Sequence, residues 1–261
     1  MRTNPCSRLL RALRTRGGKY LLGILLVLSL TQAIQSAADG RYVAREAHRV
    51  VTRAGAVTPR EKVQALRDYI RAHVTWHGAP VRKRSFLRAS AAEVLKTGLG
   101  FCGDDTRAFI CMAGALGIRA QRLNLYGPSP HVVAEAWLSP RERLLVDCQN
   151  PPKIQNFETL DQAVARHGYT DYSTVNVERL GLAGVAPRIR VNLGPLASWL
   201  ERPHALMALI FALLALGLLA AGGARKAIRA LLVRRGWIHR SALAPTAASG
   251  AVHVRTRRRS G

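Results

Sequence analysis

The sequence predicts an α+β fold, with N-terminal helices packed on a small antiparallel sheet and two hydrophobic membrane helices flanking the whole. Three observations carry this. An apolar face at helical spacing runs to Leu116, and short apolar runs of strand character follow it. Two of those runs are separated by the turn-prone Ser139-Pro140-Arg141-Glu142, as in a hairpin. Segments 20–38 and 205–224 carry no charged residue, and each is close to the ~20 residues that cross a bilayer as helix.

The elements follow in order. Residues 1–19 form a basic leader and 20–38 a transmembrane helix, for which a cleaved signal peptide is the rival reading because Ser36-Ala37-Ala38 precedes Asp39. A domain is expected over 39–180. In it, 104–116 reads as a helix with Ala108, Phe109, Met112, Ala113 and Leu116 on one face. Strands are expected over 132–137 and 144–146, a further helix over 156–167, and a surface segment of no clear period over 168–191. Gly181, Gly184, Pro187, Gly194, Pro195 and Pro203 mark 181–203 as a loop-rich linker. The second membrane helix, 204–224, has Trp199 and Trp237 on either side as interfacial anchors. In the basic tail, 225–261, Ile228, Leu231, Leu232 and Trp237 alternate with basic residues as in an interfacial helix, and 241–261 reads as disordered.

Charge orients this layout. The 261-residue chain has a net charge of +25, and most of it lies outside the domain. Residues 1–19 hold Arg2, Arg8, Arg11, Arg14, Arg16 and Lys19 with no acid, and the tail after Ala224 is equally free of acids. Both tails are expected in the cytoplasm, which places the domain on the extracytoplasmic, periplasmic side of an inner or plasma membrane. A basic charge beside membrane spans, with no aromatic-interleaved basic motif, points to anionic lipid headgroups and away from nucleic acid as partner.

The chemistry rests on an ordered trio. Cys102 ends Gly98-Leu99-Gly100-Phe101-Cys102, His131 opens His131-Val132-Val133-Ala134-Glu135-Ala136-Trp137, and Asp147 closes Leu144-Leu145-Val146-Asp147. A cysteine at a helix start meets unpaired amide donors and the positive end of the helix dipole, which favour a thiolate and can also hold an oxyanion. In an antiparallel hairpin the start of one strand lies beside the end of the next, so His131 and Asp147 are expected to meet. The carboxylate would then fix one imidazole nitrogen and leave the other for the thiol proton. Cys6, Cys102, Cys111 and Cys148 include no close chelating pair, so no zinc site, and no other metal or cofactor, is expected. Outside the cytoplasm a Cys111–Cys148 disulfide is an open alternative.

These residues resemble the transglutaminase-like, papain-type superfamily over about 44–149: a glycine-flanked Cys, a helix leaving through Gly117-Ile118-Arg119-Ala120, a His-x-x-x-Glu strand through Glu135, and an Asp one strand later. Arg107 stands at a basic position of the nucleophile helix, and Thr58-Pro59-Arg60-Glu61-Lys62 opening 63–74, then 84–95, resemble the preceding helices. The resemblance implies Cys102 as nucleophile, His131 as base and Asp147 as its orienter. A salt bridge from Glu135 to Arg107 or Arg119 is expected. The chain departs from the pattern in having no Gln or Asn just before Cys102 as auxiliary oxyanion donor, and Cys148 where Pro is more usual. The implied function is thiol acyl transfer at amide bonds of an envelope protein or peptide, hydrolysis favoured over transamidation; the alternative is a catalytically inactive binding or scaffold protein on the same fold.

Overall fold

The computed structural model describes residues 5–76, 89–175 and 191–237. Helix α1, Pro5–Ala54, runs without a break from the basic leader into the domain. Its outer stretch presents bare aliphatic side chains such as Leu26 and Leu30, whereas Val43, Ala47, Val50 and Val51, one helical face, enter the core. The membrane candidate and the first helix of the domain are therefore one element. No Pro interrupts the chain between them, and that continuity is where the expected boundary at residue 39 differs from the molecule.

Helix α2, Pro59–His73, starts at a capping box in which Thr58 accepts from the Glu61 amide at 3.3 Å and Glu61 accepts from the Thr58 amide at 2.9 Å. Val63, Leu66 and Ile70 bury its inner face. The short strand β1, Thr75–Trp76, follows. Helix α3, Ala91–Thr97, begins later than the expected 84–95 because Ser90 caps it, accepting from the Glu93 amide at 3.2 Å; the earlier part, 84–88, lies outside the described residues. Gly98 ends it at φ 65°, and a Cβ there would stand 2.8 Å from the His73 carbonyl, so both conformation and space call for glycine. Strand β2, Leu99–Gly100, then pairs parallel with β1.

Helix α4, Cys102–Ala115, is buried on nearly every side, by α1, α2 and α3 on one flank and the sheet on the other. The sheet has the order β5-β4-β3-β6, with β3 Ala120–Tyr126, β4 His131–Trp137, β5 Arg143–Val146 and β6 Asp171–Ser173, all antiparallel. Helix α5, Leu160–His167, starts four residues after the expected 156 because Thr159 and Gln162 form a second capping box. Within 168–191, β6 extends the sheet; 176–190 lie outside the described residues.

The segment read as a linker is, in its described part, packed on the domain. A 3₁₀ helix, Gly194–Glu201, lies against β3, and its last residue, Glu201, is 3 % exposed. Helix α6, Pro203–Arg234, follows and packs along α1. It continues through Ile228, Leu231 and Leu232, so these residues extend the second hydrophobic helix and do not form a separate interfacial one. Both α1 and α6 contain stretches long and apolar enough to cross a membrane. The proposed disordered tail, 241–261, lies outside the described residues.

Candidate active site

Cys102 is the first residue of α4, with Phe101 as N-cap. The cap residue's own amide donates to Asp104 Oδ2 at 3.3 Å, and its carbonyl accepts the amides of Asp104 and Asp105 at 2.7 and 3.0 Å. This tight first turn points the positive end of the helix at Cys102. Thr106, one turn on, donates to the Cys102 carbonyl at 2.7 Å and lies 3.2 Å from the Val132 carbonyl, so a single hydroxyl straps the start of α4 to the start of β4.

That strap brings His131 to Cys102. The β4–β5 register pairs Ala134 with Val146, which sets His131 and Asp147 on one face of the hairpin as diagonal neighbours. Their side chains meet directly, His131 Nε2 to Asp147 Oδ2 at 2.9 Å. A side-chain hydrogen bond also links His131 to Cys102. With Nε2 committed to the carboxylate, Nδ1 is the nitrogen left for the thiol. The cysteine is half-buried, while His131 and Asp147 are 3 % and 2 % exposed. The thiol is thus partly reachable from solvent, and the imidazole and carboxylate behind it are sealed off from water.

Asp147 is held hard. Its Oδ2 accepts the amides of Lys153 and Ile154 at 2.8 and 3.0 Å as well as His131, and its Oδ1 accepts the Gln149 amide at 3.0 Å. Arg71 of α2 donates to its backbone carbonyl at 2.9 Å. Burial raises the cost of its charge, but the His131 bond, the His131 charge and these amides outweigh burial and hold the carboxyl below its usual 3.8. For His131, burial opposes the imidazolium, yet hydrogen bonds to Asp147 and Cys102 and the negative charge of both push its pKa up to about 9. The stabilisation from Asp147 is present above its unfolded value and lost as pH falls through the lowered one. That from His131 is present below its usual 6.5 and lost as pH rises through about 9.

Asp105, one helical turn after Cys102, was absent from the expected site. It is 2 % exposed, its Oδ1 has no hydrogen-bond partner, and a Cβ on Gly100 would come within 2.7 Å of that oxygen. Burial first, then the negative charges of Asp104, Cys102 and Asp147, push its pKa up to about 8. The raised value means the fold loses stability as pH climbs from 3.8 to about 8, since the unfolded carboxyl ionises freely and the folded one does not. Asp105→Asn is therefore expected to stabilise the protein by about 2–4 kcal/mol near neutral pH and to change it little in strong acid. Thermal denaturation of both proteins across that range measures the difference.

The remaining expected contacts divide. Glu135 makes no bridge to Arg107 or Arg119; it lies opposite Gln121 in the sheet and accepts from its amide at 2.7 Å. The guanidinium of Arg119 instead stacks on Trp137, 4.5 Å from the ring centroid. Arg107 is fully buried and pairs with Asp104 at 3.0 Å and Glu201 at 3.2 Å. Cys111 and Cys148 are free thiols, Cys111 facing the Glu201 carbonyl at 3.7 Å and Cys148 lying in the core. Arg122, Glu201 and Thr106 were missed in the sequence, since each acts through a partner far away along the chain.

Residues 47–148 match the sequence model of the transglutaminase-like superfamily. No curated protein matches the chain. Among solved structures, a candidate cysteine protease from Cytophaga hutchinsonii is similar at 18% identity and a TM-score of 0.37, over 52% of this chain and 49% of that one. A TGase is similar at 13% identity and a TM-score of 0.37, over 49% of this chain and 36% of that one. A candidate protease from Parabacteroides distasonis ATCC 8503 is similar at 16% identity and a TM-score of 0.33, over 48% and 29%. This chain spans about half or less of the length of each. The part of the chain that matches the transglutaminase-like superfamily, residues 47–148, is the part that carries the thiol, the imidazole and the carboxylate.

Proposed function

We propose that this protein is a membrane-anchored cysteine enzyme of acyl transfer, acting on amide bonds of an envelope protein or peptide through Cys102, His131 and Asp147. The observation that carries the reading is the buried His131–Asp147 pair at 2.9 Å, bonded in turn to a half-buried cysteine at a helix N-terminus. Asp147 holds Nε2, Nδ1 takes the Cys102 proton, and the thiolate attacks the substrate carbonyl carbon. The tetrahedral oxyanion lies toward the first turn of α4, whose dipole favours negative charge there. His131 then returns the proton to the departing amine as the thioester forms. Water attacking that thioester regenerates the thiol and yields an acid; an amine in its place yields a new amide. Hydrolysis is the favoured outcome.

Two helices anchor the enzyme in this reading. The apolar faces of α1 and α6 are left bare by the protein, and the helices are joined by Ser29 donating to the Ala208 carbonyl at 2.9 Å and by a 2.7 Å contact between His204 Nδ1 and Gln32. This pairing supports retention of α1 as an anchor, with the basic ends cytoplasmic and the domain periplasmic.

The test is substrate trapping with Cys102→Ser in membranes, followed by reaction of wild-type protein with the trapped partner and a labelled primary amine. New carboxyl termini identify hydrolysis; label on the partner identifies transamidation. No captured partner turned over by wild-type protein would remove the enzyme reading. A reporter fused after Gly261 is expected on the cytoplasmic side, and a periplasmic reporter would overturn the topology.

A further inference from the structure

Glu201 is the last acidic residue of the chain, followed only by neutral and basic residues. It stands immediately ahead of the second hydrophobic helix, with Arg202 alone between it and Pro203. A carboxylate at the mouth of a membrane helix would ordinarily face water. This one is 3 % exposed and turned into the domain.

There it meets two buried cations. Arg122 of β3 donates to Glu201 from Nε at 2.5 Å and from Nη2 at 2.6 Å, a two-pronged pair, and the same Nη2 donates to the Gly103 carbonyl at 2.6 Å. Arg107 of α4 approaches Glu201 at 3.2 Å and Asp104 at 3.0 Å, and its Nη1 donates to the Ala89 carbonyl at 2.8 Å. Gly103 and Asp104 are the residues directly after Cys102, and Asp104 in turn accepts the Phe101 amide. Two arginines and two carboxylates balance in charge. Both arginines thereby tie Glu201 to the turn that carries Cys102, Arg122 through the Gly103 carbonyl and Arg107 through Asp104.

We propose that Glu201 is a positioning residue for Cys102: through Arg122 and Arg107 it fixes the first turn of the nucleophile helix to the root of α6. The inference rests on the proposed role of Cys102 as nucleophile and adds to it that the functional domain ends at residue 201, well beyond the matched family region. With Glu201 removed, two buried cations lose a shared partner, the Gly103 carbonyl loses a fixed donor, and the turn can move Cys102 away from His131. A structural prop alone would have a different signature, because loss of a prop changes the melting temperature and leaves the ionisation of a folded thiol as it was.

The experiment compares alkylation of Cys102 by iodoacetamide, read on the Cys102 peptide by mass spectrometry, in the full chain in detergent from about pH 5 to about pH 9. Wild-type protein is compared with Glu201→Gln and with the double variant Arg122→Met, Glu201→Gln. The double variant removes one buried cation with the charge it paired and keeps an oxygen for Arg107, so it guards against failure to fold. The inference expects alkylation near pH 6 to slow about ten-fold in both variants and to match wild type near pH 9, since one unit of thiol ionisation is a factor of ten in thiolate. A folded double variant with the wild-type profile would overturn it. Should wild-type Cys102 itself react as an ordinary thiol, the nucleophile reading fails, a result separate from equal profiles in a wild type that is fast.

Discussion

Cys102→Ala is expected to reduce turnover of the trapped partner by about four orders of magnitude or more, because the proposed covalent step runs through this thiol. The fold should survive. Cys102 is half-buried at the edge of the core, and the contacts that set α4 in place run through the Phe101, Cys102 and Gly103 carbonyls and the Asp104 side chain, all of which alanine leaves intact. Circular dichroism and thermal melting should thus match wild type while the partner accumulates uncleaved. His131 loses a partner in this variant, so its pKa should fall from about 9, which an NMR titration of the imidazole measures.

Asp147→Asn is expected to damage both fold and chemistry. The carboxylate accepts three backbone amides and the imidazole, and an amide side chain can satisfy only part of that set while turning a donor toward some of the others. Leaving buried donors unpaired should cost about 2–5 kcal/mol of stability, read as a lowered midpoint in chemical denaturation. The chemical loss has a separate origin. Asparagine permits the wrong imidazole tautomer and no longer supports the imidazolium, so turnover by the folded fraction should fall by about three to four orders of magnitude. The acid-side loss of stability that Asp147 contributes should also vanish, since the variant has no carboxyl there to protonate.

The parts of this site that were legible in the sequence are those set by local rules. A glycine pair before a helix start, a strand opening on His131 and a short turn before a strand ending at Asp147 are all statements about neighbours in the chain, and they led to groups that the structure brings together. Cap residues set the element starts that differed: Ser90 and Thr159 bind amides three residues on and delay α3 and α5 to Ala91 and Leu160. Local signals of that kind were present in the sequence at Ser90 and Thr159.

What was not legible depended on distance. Glu201 sits among glycines and prolines in a stretch with every mark of a linker, and its pairing with Arg107 and Arg122, buried on other elements, ties it into the domain. Asp105 looked like an ordinary acid in a first turn, where a carboxylate is normally favoured by the dipole; burial against Gly100 reverses that. Glu135 was given an arginine from the general habit of strand carboxylates near basic groups, but the register of β3 and β4 places Gln121 across from it. The continuity of α1 was missed because a hydrophobic span and an amphipathic core helix have different patterns, though nothing in between obliges the helix to stop.

The central claim is that Cys102 rests as a thiolate beside a His131 imidazolium that Asp147 sustains. The pH dependence of Cys102 alkylation in the wild-type full chain measures this most directly. The account predicts a rate near about pH 6 within a few-fold of that near about pH 8, falling only in stronger acid, and collapse of this plateau in Asp147→Asn. A rate that drops about ten-fold for each pH unit below 8, as for an unassisted thiol, would contradict it.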